Sequence, residues 1–113
     1  MEMTEEMRGQ DSVILDIKGR FDATTAAAAE SKLLALIEGG CNHIVVDFAG
    51  LEYISSAGLR SLLICAKRLK AKNGDLCLCC LIKDVKDVFD ISGFSSIFTL
   101  YPTREEALAT LRS

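Results

Sequence analysis

Ile44-Val45-Val46-Asp47-Phe48-Ala49-Gly50-Leu51-Glu52-Tyr53-Ile54-Ser55-Ser56-Ala57-Gly58-Leu59-Arg60-Ser61-Leu62-Leu63 changes its hydrophobic period part of the way along. It begins with β-branched residues, which suit an extended and covered backbone, whereas Leu59, Leu62, Leu63, Ala66 and Leu69 recur at helical spacing. Between the two lie Ser55, Ser56 and Gly58. Such residues open helices, and a helix start presents free N–H groups that favour an anion. The stretch therefore predicts a buried strand, a loop, and a helix from about Ala57 to Ala71 with two hydroxyls at its start. Either serine can cap the helix, accept a phosphate, or do both.

Upstream, Ser12 to Gly19 alternates as a strand, and residues 1–8 can pair with it as an edge strand through a turn at Gly9-Gln10-Asp11. An alanine-rich helix runs from the Ala23-Thr24-Thr25-Ala26 segment through Ile37, stopped by Gly39-Gly40, with Asp22 placed to cap it. Downstream, the exit of the central helix is assigned to Gly74, and Leu76 to Ile82 is apolar throughout, as in a strand covered on both faces. A short helix follows, capped by an aspartate at Asp84 and stopped at Ser92-Gly93. Ile97 to Tyr101 reads as the last strand. Thr103 then caps a closing helix, with Glu106 in the capping-box position. The order is β-β-α-β-α-β-α-β-α, which implies an α/β fold with a mainly parallel mixed sheet packed by helices. Asp22 and Ser55-Ser56 both fall at the carboxyl ends of strands, where ligands and partners meet such sheets.

Composition narrows the classes. A chain of 113 residues, 50% hydrophobic, is sized for one ordinary core, so residues 1–113 are expected to form one domain. A net charge of −3 offers no basic field for nucleic acid. Apolar runs are too short to span a membrane, and the acidic start is unlike a signal peptide, so a cytoplasmic protein without membrane insertion is expected. Five cysteines, four of them within apolar runs, suit reduced buried thiols. Along a strand, Cys77 and Cys79 share one face and Cys80 the other, so they are assigned to packing and not to metal.

Other chemistries lack parts. His43 has no evident nucleophile beside it, and Ile54-Ser55-Ser56-Ala57-Gly58 lacks the first glycine of a nucleophile elbow. Asp47 sits near a strand end like a receiver aspartate, without the acidic pair that would hold magnesium. Lys67, Arg68, Lys70 and Lys72 read as the solvated face of their helix.

Three segments, in order, resemble the STAS family, the domain of bacterial anti-sigma factor antagonists and of sulfate-transporter tails. Gly19-Arg20-Phe21-Asp22-Ala23-Thr24-Thr25-Ala26 is similar to its G-x-[FL]-D-x-x-[ST]-A turn. Val46 to Leu59 is similar to its central signature, and Val88-Phe89-Asp90-Ile91-Ser92-Gly93-Phe94 to its late segment. The resemblance implies a STAS-like fold over essentially the whole chain. It also implies a protein-binding switch. The unphosphorylated form binds an anti-sigma factor that is a serine kinase, and phosphorylation of the serine after the motif aspartate ends binding. Carried over, the acceptor is Ser56, with Ser55 as second choice; Ser55 stands where the antagonists have aspartate, and Ala57 where they have serine or threonine. Asp22, Thr24, Ser55, Ala57, Gly58 and Arg60 are expected to form the docking surface. The chain supplies no catalytic group and needs no cofactor, ATP and magnesium belonging to the kinase, while a phosphatase restores binding. The alternatives are a constitutive scaffold subunit of a transport or signalling complex, and a small-molecule or nucleotide-binding module.

Overall fold

Aliphatic residues at alternate positions build the centre of the molecule. In the computed structural model, which describes residues 1–111, the elements are β1 (Glu2–Arg8), β2 (Ser12–Phe21), α1 (Ala26–Glu38), β3 (His43–Asp47), β4 (Leu51–Ile54), α2 (Ser56–Ala71), β5 (Asp75–Cys79), α3 (Lys83–Ser92), β6 (Thr99–Tyr101) and α4 (Arg104–Leu108), with 3-10 turns at Phe94–Ser96 and Ala109–Leu111. β1 pairs antiparallel with β2, and β3, β5 and β6 add in turn as parallel strands. The expected mixed, mainly parallel sheet is present.

The period of two sorts the side chains onto two faces. Val13, Leu15 and Ile17 of β2, Ile44 and Val46 of β3, and Leu76 and Leu78 of β5 share one core with Leu33 and Ile37 of α1, Leu62, Cys65 and Leu69 of α2, and Val85 and Phe89 of α3. The opposite face holds a smaller cluster, Ile14, Val45, Cys77 and Cys79, against Ala107, Leu108 and Leu111.

The expected loop between the buried strand and the central helix contains a further strand: Leu51–Ile54 forms β4, which pairs in parallel with Gly19–Phe21 of β2. The cause lies in β2, which is ten residues long, whereas β3 pairs only with its Ser12–Asp16 portion. A protruding strand end would leave backbone groups unsatisfied. The chain turns through Phe48-Ala49-Gly50, the Gly19 N–H donates to the Gly50 carbonyl at 3.0 Å, and β4 pairs with the remaining end of β2 across a register shift between Gly19 and Arg20.

Several local assignments move. α1 begins at Ala26 with Thr25 at the N-cap, so Asp22 does not cap it. α3 has Ile82 at its N-cap, and Asp84 lies inside the first turn, where its charge suits the helix dipole. The left-handed residue after α2 is Asn73 (φ 62), not Gly74. Gly74 is required for a different reason: a Cβ there would lie 2.2 Å from the Asn42 carbonyl oxygen. β5 ends at Cys79, and Cys80 leaves the strand with φ 64, packing against the same cluster as Cys77 and Cys79 and not on the opposite face. Thr103 caps α4 as expected, its Oγ1 accepting from the Glu106 N–H at 3.2 Å and donating to the Glu106 carboxylate at 3.3 Å.

Candidate functional site

The start of α2 is anchored to the end of β2. Phe21 pairs with Ile54, and the next residue, Ser55, donates its N–H to the Phe21 carbonyl at 2.9 Å. Ser55 is the N-cap: its backbone is extended (φ −98, ψ 174), and its Oγ accepts from the Gly58 N–H at 3.3 Å. Ser56 is the first helical residue and is exposed. The two serines, equivalent as sequence, therefore differ in task. Ser55 spends its hydroxyl on the helix, and among the described residues no hydrogen bond engages that of Ser56.

Gly58, expected on the docking surface, is buried and presents no surface. A Cβ there would stand 2.9 Å from the Phe21 carbonyl oxygen, from Phe21 Cδ1 and from Ile54 Cγ1. The glycine lets the first turn of α2 close onto the ends of β2 and β4. Ala57 is half-buried, and Arg60, one turn after Ser56, is exposed.

Asp22 directly follows Phe21 and lies in the same corner as the α2 start. Its Oδ1 accepts from the Thr24 N–H at 2.9 Å and from the Thr24 hydroxyl at 2.6 Å, while Asp22 N–H donates to Thr25 Oγ1 at 2.9 Å. These bonds hold a polar turn ahead of α1. The two bonds from Thr24, hydroxyl first, hold the Asp22 carboxyl below its usual range, with Arg20 adding a weaker pull. Asp22 is thus anionic at neutral pH. Arg20 Nε lies 3.7 Å from Asp22 Oδ2, and its guanidinium stacks 4.3 Å from the centre of the exposed Tyr53 ring.

Behind the site is Asp47, which resembles a receiver aspartate only in its place near a strand end. Asp47 is buried; its Oδ1 accepts from the Ala49 N–H at 2.9 Å and its Oδ2 meets Arg104 Nη1 at 2.8 Å. Asp47 thereby fixes the turn that delivers β4, and β4 delivers Ser55. Arg104 also bonds Asp16 at 2.9 Å and approaches Glu6 at 3.8 Å, tying α4 to β1, β2 and β3. No local pattern marks Arg104, because its partners are distant in sequence.

Asp47, Cys79 and Cys80 converge within 4.8 Å, the spacing of a small metal site. Both Asp47 oxygens already have partners, and burial pushes the Cys79 and Cys80 thiols up, away from the thiolate a metal requires. Across the β2–β3 ladder His43 does have a serine beside it, Ser12, but that hydroxyl is buried and donates to Asp11 at 3.5 Å, while His43 Nδ1 pairs with Asp75. Clefts of about 340 and 320 Å³ lie at the hairpin end, beside Gln10 and His43, and beside Leu81 and Tyr101; neither is lined by Ser55 or Ser56. The surface at Ser56 offers a helix end and a charged turn, suited to a macromolecular partner. Of the basic residues on and after α2, Arg68 pairs with Glu38 at 2.7 Å and Lys72 approaches it at 3.7 Å, so these two fasten α2 to α1.

Comparison with known proteins agrees with the fold. The STAS domain family model matches residues 4–107. A protein of Bordetella bronchiseptica named "Putative anti-sigma factor antagonist BtrV" is 41% identical over 101 residues, spanning 89% of this chain and 87% of that protein. The anti-sigma factor antagonist SpoIIAA in its unphosphorylated form superposes with a TM-score of 0.86 at 25% identity, covering 98% of this chain and 96% of that one. The Bacillus cell fate determinant SpoIIAA in its phosphorylated form superposes with a TM-score of 0.76 at 24% identity, covering 98% and 100%.

Proposed function

The chain belongs to the STAS domain family, and on that footing we propose that it is an anti-sigma factor antagonist, a binding switch operated by phosphorylation of Ser56. Unmodified, it binds an anti-sigma factor with serine kinase activity and frees a sigma factor; modified, it lets go, and a phosphatase restores it. The contact surface is the outward side of the first turns of α2, with Ser56, Ala57 and Arg60, together with the Asp22–Thr24 turn. The protein is the substrate in this chemistry, contributes no catalytic group, and acts in the cytoplasm. Among the described residues, no helix is long and apolar enough to cross a membrane.

The observation that supports this reading most strongly is the division of labour between the serines. Because Ser55 caps α2, the Ser56 hydroxyl can be modified without costing the helix a hydrogen bond. A phosphate adds about 1.5 to 2 negative charges near neutral pH, and at a helix N-terminus free N–H groups tolerate it. The net charge would pass from −3 to about −5, with the added charge concentrated beside the anionic Asp22. An interface desolvating that corner would lose affinity while the fold remained.

Intact-mass measurement after incubation with ATP, magnesium and candidate serine kinases tests the assignment. One phosphoryl group is expected on the wild-type chain and none on Ser56→Ala. Modification that persists in Ser56→Ala moves the acceptor elsewhere, first to Ser55, and no modification by any such kinase favours a constitutive scaffold.

A further inference from the structure

We propose that Arg60 is an intrahelical clamp for the phosphate on Ser56, so that modification adds an anion and also withdraws a cation from the docking surface. This rests on the reading of Ser56 as acceptor. Ser56 and Arg60 are four residues apart on α2 and both are exposed. Residues at that spacing share a helix face with Cβ atoms about 5–6 Å apart, and helical side chains lean toward the N-terminus. The long Arg60 side chain therefore extends over the turn that Ser56 begins. An acid preceding a base by four residues is also the favoured sense of such a pair.

The surrounding charges leave this pairing open. Arg20 is engaged by Asp22 and by the Tyr53 ring. The Asp22 carboxylate is occupied by Thr24. On α3, Lys83 pairs with Asp87 and Lys86 with Asp90; on α1, Glu30 accepts from Ser61. Glu52 on β4 is exposed and acidic, and so cannot hold a phosphate. Arg60 has no ion pair among the described residues, and α2 contains no Asp or Glu to compete for it. Its planar guanidinium can take two phosphate oxygens in parallel, a fixed fork that the lysine ammonium lacks. In the unmodified protein Arg60 is free to meet a carboxylate on a partner. In the modified protein it turns to its own helix.

The experiment uses the full chain with phosphoserine installed at position 56 during translation, so that no kinase is needed, and follows the phosphate by ³¹P NMR against pH. A phosphoserine loses its second proton near pH 6. A clamp that favours the dianion lowers that pKa in the wild-type background relative to Arg60→Gln by about 0.2–0.4 pH unit, as expected for one exposed i,i+4 pair. Arg60→Lys keeps part of the shift, Lys67→Gln leaves it whole, and 0.5 M salt removes most of it. Equal ionisation in wild type and Arg60→Gln overturns the clamp, and so does an equal change in Lys67→Gln, which would reveal only the general field of a basic helix. Failure of the kinase reaction would instead count against Ser56 as acceptor and leave this titration unaffected.

Discussion

At the scale of single residues, the site depends on two adjacent hydroxyls that local sequence cannot tell apart. Both positions suit the first turn of a helix. Only the bond from the Ser55 N–H to the Phe21 carbonyl, made across the fold, sets Ser55 as the cap and Ser56 as the first helical residue. Ser55→Ala is expected to lower the unfolding free energy by about 1 kcal/mol, the usual worth of a helix cap, while Ser56→Ala changes it by less than about 0.5 kcal/mol. Urea titrations of both variants at unchanged slope check this, and equal losses would mean that the two hydroxyls share the cap. Asp22 was legible as an acidic turn residue next to the site. Its task was not, because a capping aspartate and one bonded to Thr24 two residues on look the same in sequence.

At the scale of elements, β4 and α4 separate what is readable from what is not. β4 has four residues, with Leu51 and Ile54 buried and Glu52 and Tyr53 exposed, so it shows no alternation. Its existence follows from the unpaired end of β2 and not from its own composition. α4, by contrast, was legible through its capping box, while its attachment through Arg104 was not. Arg104→Met should cost about 2 kcal/mol, below the roughly 3–5 kcal/mol of a fully buried broken pair because the Arg104 side chain is 32% exposed. Since Cys77 and Cys79 lie in the cluster that includes Ala107, the same variant should react faster with a thiol reagent under native conditions. Unchanged labelling with a normal denaturation midpoint would show that apolar contacts alone hold α4 in place.

For the whole molecule, the asymmetric sheet leaves most of the thiols buried, which sets an alkaline limit. Burial pushes Cys65 up to about 12 and Cys77 to about 11, from an ordinary value of 9.0. In the unfolded chain these thiols ionise above about pH 9, while in the fold they stay protonated, so stability is intact below that pH and falls as pH rises beyond it. At pH 10 the loss is on the order of 1 kcal/mol for each such thiol. Urea titrations in reducing buffer at pH 8 and pH 10 should show it, and Cys65→Val should recover one share; a flat profile would mean that the thiols are open to solvent. The sequence by itself determined the alternation of elements, the largely parallel sheet, the helix start at Ser55-Ser56 and its place at the carboxyl edge. These follow from periodicity and capping, which act over a few residues. Only the tertiary structure decided which serine remains free, why Gly58 must lack a side chain, that Leu51–Ile54 is a strand, and that Asp47 and Arg104 brace the site from behind. Each of these is a contact between segments distant in the chain, and such contacts leave no periodic mark on either segment alone.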